Sequence, residues 1–167
     1  MNAHANQNLF KTELPADEPL IIMTRTFDAP LELLWTVWTR PEHVAYWWGP
    51  REDNEIVEYD VRTGGKWRIV SSMTDGDKVA FFGTYLAVTP KSMIRNTFVV
   101  EGMFEEDDRF YEEHHFEERD GKVFYRSVSK LESFEQRQGV IDSGMEWGAN
   151  ASMAKVDDIL ERLKAGK

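Results

Sequence analysis

The period of the hydrophobic residues changes along this chain, and that change constrains the fold more than any other feature. From Ile56 to Leu131 apolar and polar residues alternate, the two-residue period of strands, in stretches separated by turn residues. From Met145 onwards the period becomes helical: Met145, Ala149, Ser152, Met153, Val156, Leu160 and Leu163 share one face. Consecutive strands followed by one long amphipathic helix predict an α+β domain, in which a curved antiparallel sheet wraps around the C-terminal helix.

Upstream, Leu20 to Phe27 read as a strand, and Pro30 opens a short helix carrying Leu31, Leu34, Trp35 and Trp38. Thr39 and Pro41 open a second short helix that Gly49-Pro50 ends. Two short helices thus follow the first strand. Strand-like stretches then run around Ile56–Val61 and over Lys66–Met73, Val79–Val88, Met93–Glu101, Phe110–Glu118 and Lys122–Leu131. The turns between them (Gly64-Gly65, Asp75-Gly76-Asp77, Pro90, Gly102, Asp120-Gly121) are short, which predicts an antiparallel meander. Residues 1–19 are polar, carry two prolines and have no period; they read as a flexible leader in which Leu9, Phe10 and Leu14 are candidates for docking. Residues 20–165 then form a single domain. Gly144 and Gly148 fall in the first turns of the last helix, where glycine is unfavourable, so close approach of that helix to the sheet or to a ligand is expected there.

Charge and composition exclude several function classes. Thirty acidic against twenty basic residues give a net charge of −10, which opposes binding to nucleic acid or to an anionic membrane. With no cysteine, disulfides, thiolate metal sites and thiol nucleophiles are ruled out. No run is long and apolar enough to span a bilayer, and no secretory signal pattern opens the chain, so a cytoplasmic location is expected. Neither a phosphate-cradling glycine loop nor a serine triad is visible, and no cofactor is predicted.

Alternation assigns one face of each strand to a pocket beneath the helix. Trp67 and Ile69 share a face on one strand; Ile94, Asn96, Phe98 and Val100 share one on another; Tyr125 and Ser127 share one on the last. Phe110 and Phe116 fall on the face of Glu112 and His114. The run Glu112-Glu113-His114-His115 is polar on both faces, so periodicity leaves open whether Glu112 and His114 face the pocket or solvent. Facing inward, they would orient a ligand or move a proton. As metal ligands they are too few without a third, and no metal is predicted. Trp35 and Trp38 read as core. Of the adjacent Trp47 and Trp48, one packs inside and the other lines the rim. The candidate pocket residues are Trp48, Trp67, Ile69, Tyr85, Asn96, Phe98, Glu112, His114, Tyr125, Met145, Ala149 and Met153.

Several short motifs carry a family resemblance. Phe27-Asp28-Ala29-Pro30 with Leu34, Trp35 and Trp38, then Pro41-Glu42-His43 and Trp47-Trp48-Gly49-Pro50, are followed by Gly64-Gly65-Lys66-Trp67, Gly83-Thr84-Tyr85 and Ser143-Gly144-Met145-Glu146. In this order, from about Ile21 to Leu163, the chain resembles bacterial proteins similar to the C-terminal domain of the activator of the heat-shock protein 90 ATPase. The resemblance implies the START-like helix-grip fold, and apolar residues where this chain has Asn96, Glu112 and His114. It implies no single activity. Binding of a small, largely apolar ligand between sheet and helix is the leading expectation. A chaperone-linked interaction protein is the alternative, and a cyclase- or hydrolase-like enzyme using His114 and Glu112 a further one.

Overall fold

A computed structural model describes residues 9–73, 75–103 and 105–166. Its elements are β1 (Lys11–Glu13), β2 (Leu20–Phe27), α1 (Leu31–Thr39), α2 (Pro41–Trp47), β3 (Glu55–Tyr59), β4 (Lys66–Ser72), β5 (Lys78–Thr89), β6 (Met93–Asn96), β7 (Val99–Val100), β8 (Glu112–Arg119), β9 (Lys122–Lys130), α3 (Phe134–Asp142) and α4 (Met145–Lys164). The strands form one antiparallel sheet in the order β1-β2-β9-β8-β6-β5-β4-β3, and β7 pairs with β5. The sheet curves around the long C-terminal helix in the expected α+β helix-grip arrangement.

Two elements depart from the sequence reading. Part of the expected leader is strand: Lys11 pairs with Thr24 and Glu13 with Ile22, while Phe10 is buried with its ring 6.2 Å from Tyr125. Phe10 supplies the apolar anchor, and pairing satisfies the backbone next to it. Leu9 packs at the margin of the core, and Leu14 is exposed. Residues 1–8 of that leader lie outside the described residues. The second departure is α3, which buries none of its residues and so has no apolar stripe to betray it. Its start is capped: the Ser133 hydroxyl accepts from the Gln136 backbone N–H at 3.0 Å, and the Gln136 side chain accepts from the Glu132 N–H at 2.6 Å.

At the start of α1 no side chain of the cap residue Pro30 is available, and the Leu31 N–H donates instead to the Glu118 carboxylate at 2.8 Å. That bond places an anion at a helix N-terminus and ties α1 to the end of β8. The inward side of α1 buries Leu34, Val37 and Trp38.

The buried face of α4 carries Met153, Val156, Ile159 and Leu160 against α1, α2 and the sheet residues of the same core. Arg25 of β2, only 8% exposed, meets Asp157 of α4 at 3.0 Å and stacks on Phe27. Lys164 donates to the Asp28 carbonyl at 2.7 Å. The expectation of close packing at Gly144 and Gly148 is corrected by the structure. A Cβ at either would meet nothing within 4 Å. Gly144 is needed for its left-handed backbone (φ +88°), which turns the chain from α3 into α4. Gly148 shares a helical stripe with Met145 and Ser152, yet open space surrounds it. Among the described residues no helix is long and apolar enough to cross a membrane.

Candidate functional site

Antiparallel register sets side chains in rows across the sheet. Tyr85 of β5, Asn96 of β6, Glu112 of β8 and Ser129 of β9 are successive cross-strand neighbours. The next row runs Ile94, His114, Ser127 and Met23, and the next Phe116, Tyr125 and Arg25. Phe116 fixes which side of β8 faces the core: it is buried, with Trp35 and Trp38 edge-on to it at 5.6 and 5.4 Å. Glu112 and His114 share its parity and therefore face the helices. His114 lies 5.7 Å from the Trp38 ring and stacks on Tyr125 at 5.9 Å. Its neighbour Glu113 turns to the other side and pairs with Arg95.

The inward polar groups are joined. The His114 Nδ1 lies 2.6 Å from the Tyr125 hydroxyl and its Nε2 3.3 Å from the Glu112 carboxylate. Tyr125 is further bonded to Ser127. Burial pushes the Tyr125 phenol well above its ordinary pKa, and the nearby Glu112 charge pushes the same way, so it stays protonated. Tyr85 is raised chiefly by burial too and bonds to Tyr59, whose hydroxyl donates to the Trp38 carbonyl at 2.8 Å. Glu112 and His114 keep 28% and 15% of their side-chain surface, so this end of the face is reachable from solvent.

Aromatic residues continue the face. Trp48 is half-buried at the rim, with its ring 5.5 Å from Trp67, 5.9 Å from Phe81 and 6.0 Å from Phe98. Trp47 is the buried one of the adjacent pair. Ile69 is fully buried beside them. The expected strand Met93–Glu101 is interrupted after Asn96, because the Thr97 carbonyl turns aside to accept from the Asn96 amide (3.0 Å) and the Trp67 indole (3.3 Å). The parity survives the break, since Phe98 still meets Trp67 at 5.6 Å.

On α4, Met153 lies in the core, whereas Met145 and Ala149 are half-buried at its margin. Sequence reasoning missed Tyr59. Ile56 and Tyr59 are three apart and cannot share a face in a regular strand, but the pairing of β3 with β4 shifts register between Ile56 and Glu58. That irregularity turns Tyr59 inward, and no residue type announces it. Trp38, read as core, is also a wall of the polar cluster. Two surface depressions, one along Pro50–Asp53 and one between α2 and α4 lined by Tyr46, Ile159 and Arg162, include none of the polar rows. Among the described residues no group of three or more His, Asp or Glu side chains is placed to hold a metal ion.

The model of the family described as Activator of Hsp90 ATPase homolog 1-like protein matches residues 28–161. The chain belongs to this family. Solved structures of similar fold include protein Ms6760 from Mycobacterium smegmatis, 24% identical over 90% of this chain and 95% of that one, with a TM-score of 0.78. A protein from Arthrobacter aurescens, solved by NMR, is 19% identical over 92% of each chain at a TM-score of 0.80. The AHSA1-like protein from Aeromonas hydrophila is 17% identical over 86% of this chain and 94% of its own, at 0.59. At these identities the likeness shows the fold alone. Among curated proteins none matches. Within the activator-homologue fold, the polar rows of this chain lie on the sheet face turned toward the helices.

Proposed function

We propose that this protein binds a small, largely apolar molecule on the helix-facing side of the sheet, oriented by a polar group at Glu112, His114 and Tyr125. One observation carries the reading: a hydrogen-bonded carboxylate, imidazole and phenol sit among Trp38, Phe116 and Tyr85, and the carboxylate end retains contact with solvent. Buried polar groups in an apolar setting destabilise a fold unless they are satisfied, and a few placed polar groups among aromatic walls are what small-molecule sites share. The test is a titration with the neutral fluorescent probe N-phenyl-1-naphthylamine, followed by NMR of the labelled protein. Saturable binding with shifts confined to His114, Tyr125 and the Trp38 indole supports the reading. Absence of saturable binding, or shifts confined to the groove between α2 and α4, contradicts it.

A chaperone-linked role is supported by the family's description and by nothing in the geometry of the described residues. Stimulated ATP hydrolysis by a heat-shock protein 90 preparation would favour it.

A further inference from the structure

The polar groups on the helix-facing side differ in what they still offer a ligand. A carboxylate accepts hydrogen bonds, so the His114 Nε2 proton points to Glu112, and Nδ1 is taken up by the Tyr125 hydroxyl. The Asn96 amide donates to Thr97. The Tyr59 hydroxyl, the Tyr125 hydroxyl and both ring nitrogens of His114 are thus engaged. What remains is acceptor capacity on the Glu112 carboxylate, which has about four lone-pair positions and uses one of them on His114.

Among the described residues no lysine or arginine pairs with Glu112, whose side-chain partner is His114. Arg95 is next to Asn96 in sequence but points to the opposite face, where it pairs with Glu113. Arg25 lies on the same face as Glu112; its Nη2 holds both oxygens of Asp157 at 3.0 and 3.2 Å, while its buried Nε and Nη1 have no hydrogen-bond partner among the described residues. The neighbouring walls are aromatic, and the faces of such rings attract cations.

We infer that the molecule taken by this face carries a protonated amine beside an apolar body and seats its ammonium group on Glu112. This rests on the reading of the face as a binding surface. A carboxylate ligand would meet the repulsion of Glu112, and an alcohol would gain the hydrogen bond without the Coulombic attraction.

Three probes with one apolar body test the inference: 2-phenylethylamine, 2-phenylethanol and 3-phenylpropionate, each titrated into the full chain by calorimetry. The amine should bind at least about tenfold tighter than the alcohol, and the propionate should bind weakest. In Glu112→Gln the preference for the amine over the alcohol should disappear. Glu112→Asp keeps the charge and should keep the order of the three. Glu117→Gln, on the exposed opposite face, removes the same unit of charge and should leave the amine preference intact. Equal affinities for amine and propionate overturn the inference while apolar binding stands. A preference that survives in Glu112→Gln overturns it also, because the net charge of the molecule would then be its source. Failure of all three probes to bind overturns the binding surface and the inference together.

Discussion

Gly83 stands where two neighbours leave no room for a side chain. A Cβ there would overlap the Thr97 carbonyl oxygen and come within 2.6 Å of the Trp67 indole nitrogen. The carbonyl belongs to backbone that already accepts from Asn96 and Trp67, so moving it disturbs two further bonds. Gly83→Ala is therefore expected to destabilise the fold by about 3 kcal/mol or more, the upper range of overpacking. Urea unfolding followed by tryptophan fluorescence measures it, and a wild-type midpoint would contradict the account. The same contact explains the glycine of Gly83-Thr84-Tyr85: it lets β5 pass the Thr97 break closely enough for Tyr85 to join the polar row.

At the scale of elements, α4 is fastened to the chain beyond α2 by Lys155, whose ammonium donates to the Gly49 and Arg51 carbonyls at 2.7 and 2.6 Å. Burial lowers the pKa of this amine to about 8, against 10.5 for an unperturbed lysine. Between those values the unfolded chain holds a proton that the folded one has lost, so this group makes stability rise with pH from about 8 to 10.5. Below about 8 it is charged in both states and its contribution is flat. The stability difference between wild type and Lys155→Met, measured by denaturant titration at several pH values, should grow across that window in favour of wild type. A difference independent of pH would count against it. The same elements show what a sequence makes legible. β2, α1 and α2 were readable because Pro30, Pro41 and Gly49-Pro50 punctuate strong periods. Neither β1, three residues on a sheet edge, nor α3, which buries nothing, leaves a periodic signal. In the site, alternation placed Trp67, Phe98 and Tyr125 correctly on the inner face. Glu112 and His114 could be oriented only through the packing of Phe116, and Tyr59 only through the irregularity in β3. Gly148 misled, because a glycine reads alike whether its surroundings are crowded or open.

For the whole molecule, an excess of ten negative charges opposes compaction. Several ion pairs are short-range and solvent-exposed, as between Arg62 and Asp60 or Arg119 and Glu117, and such pairs contribute little. Screening should therefore weaken the repulsion more than it weakens the pairs. Raising ionic strength at neutral pH from about 0.01 to 0.1 M, which shortens the screening length from about 30 to 10 Å, is expected to raise Tm. Each 1 kcal/mol gained corresponds to about 2–4 °C for a chain of this size. Calorimetry at two salt concentrations checks this, and a falling Tm would show the pairs to dominate. The pairing of β2 with β9, from Leu20 opposite Lys130 to Phe27 opposite Val123, has a consequence for biosynthesis. As the chain leaves the ribosome, β2 emerges before α1, α2 and β3–β8, and its long partner β9 only after them. Until then, among the described residues, β2 has only β1 beside it, and neither Tyr125 nor Ser127 is present to complete the polar cluster. The sheet is closed by contacts distant in sequence, the kind that form slowly, so this part of the sheet must remain open, and exposed to misfolding, until β9 has been made.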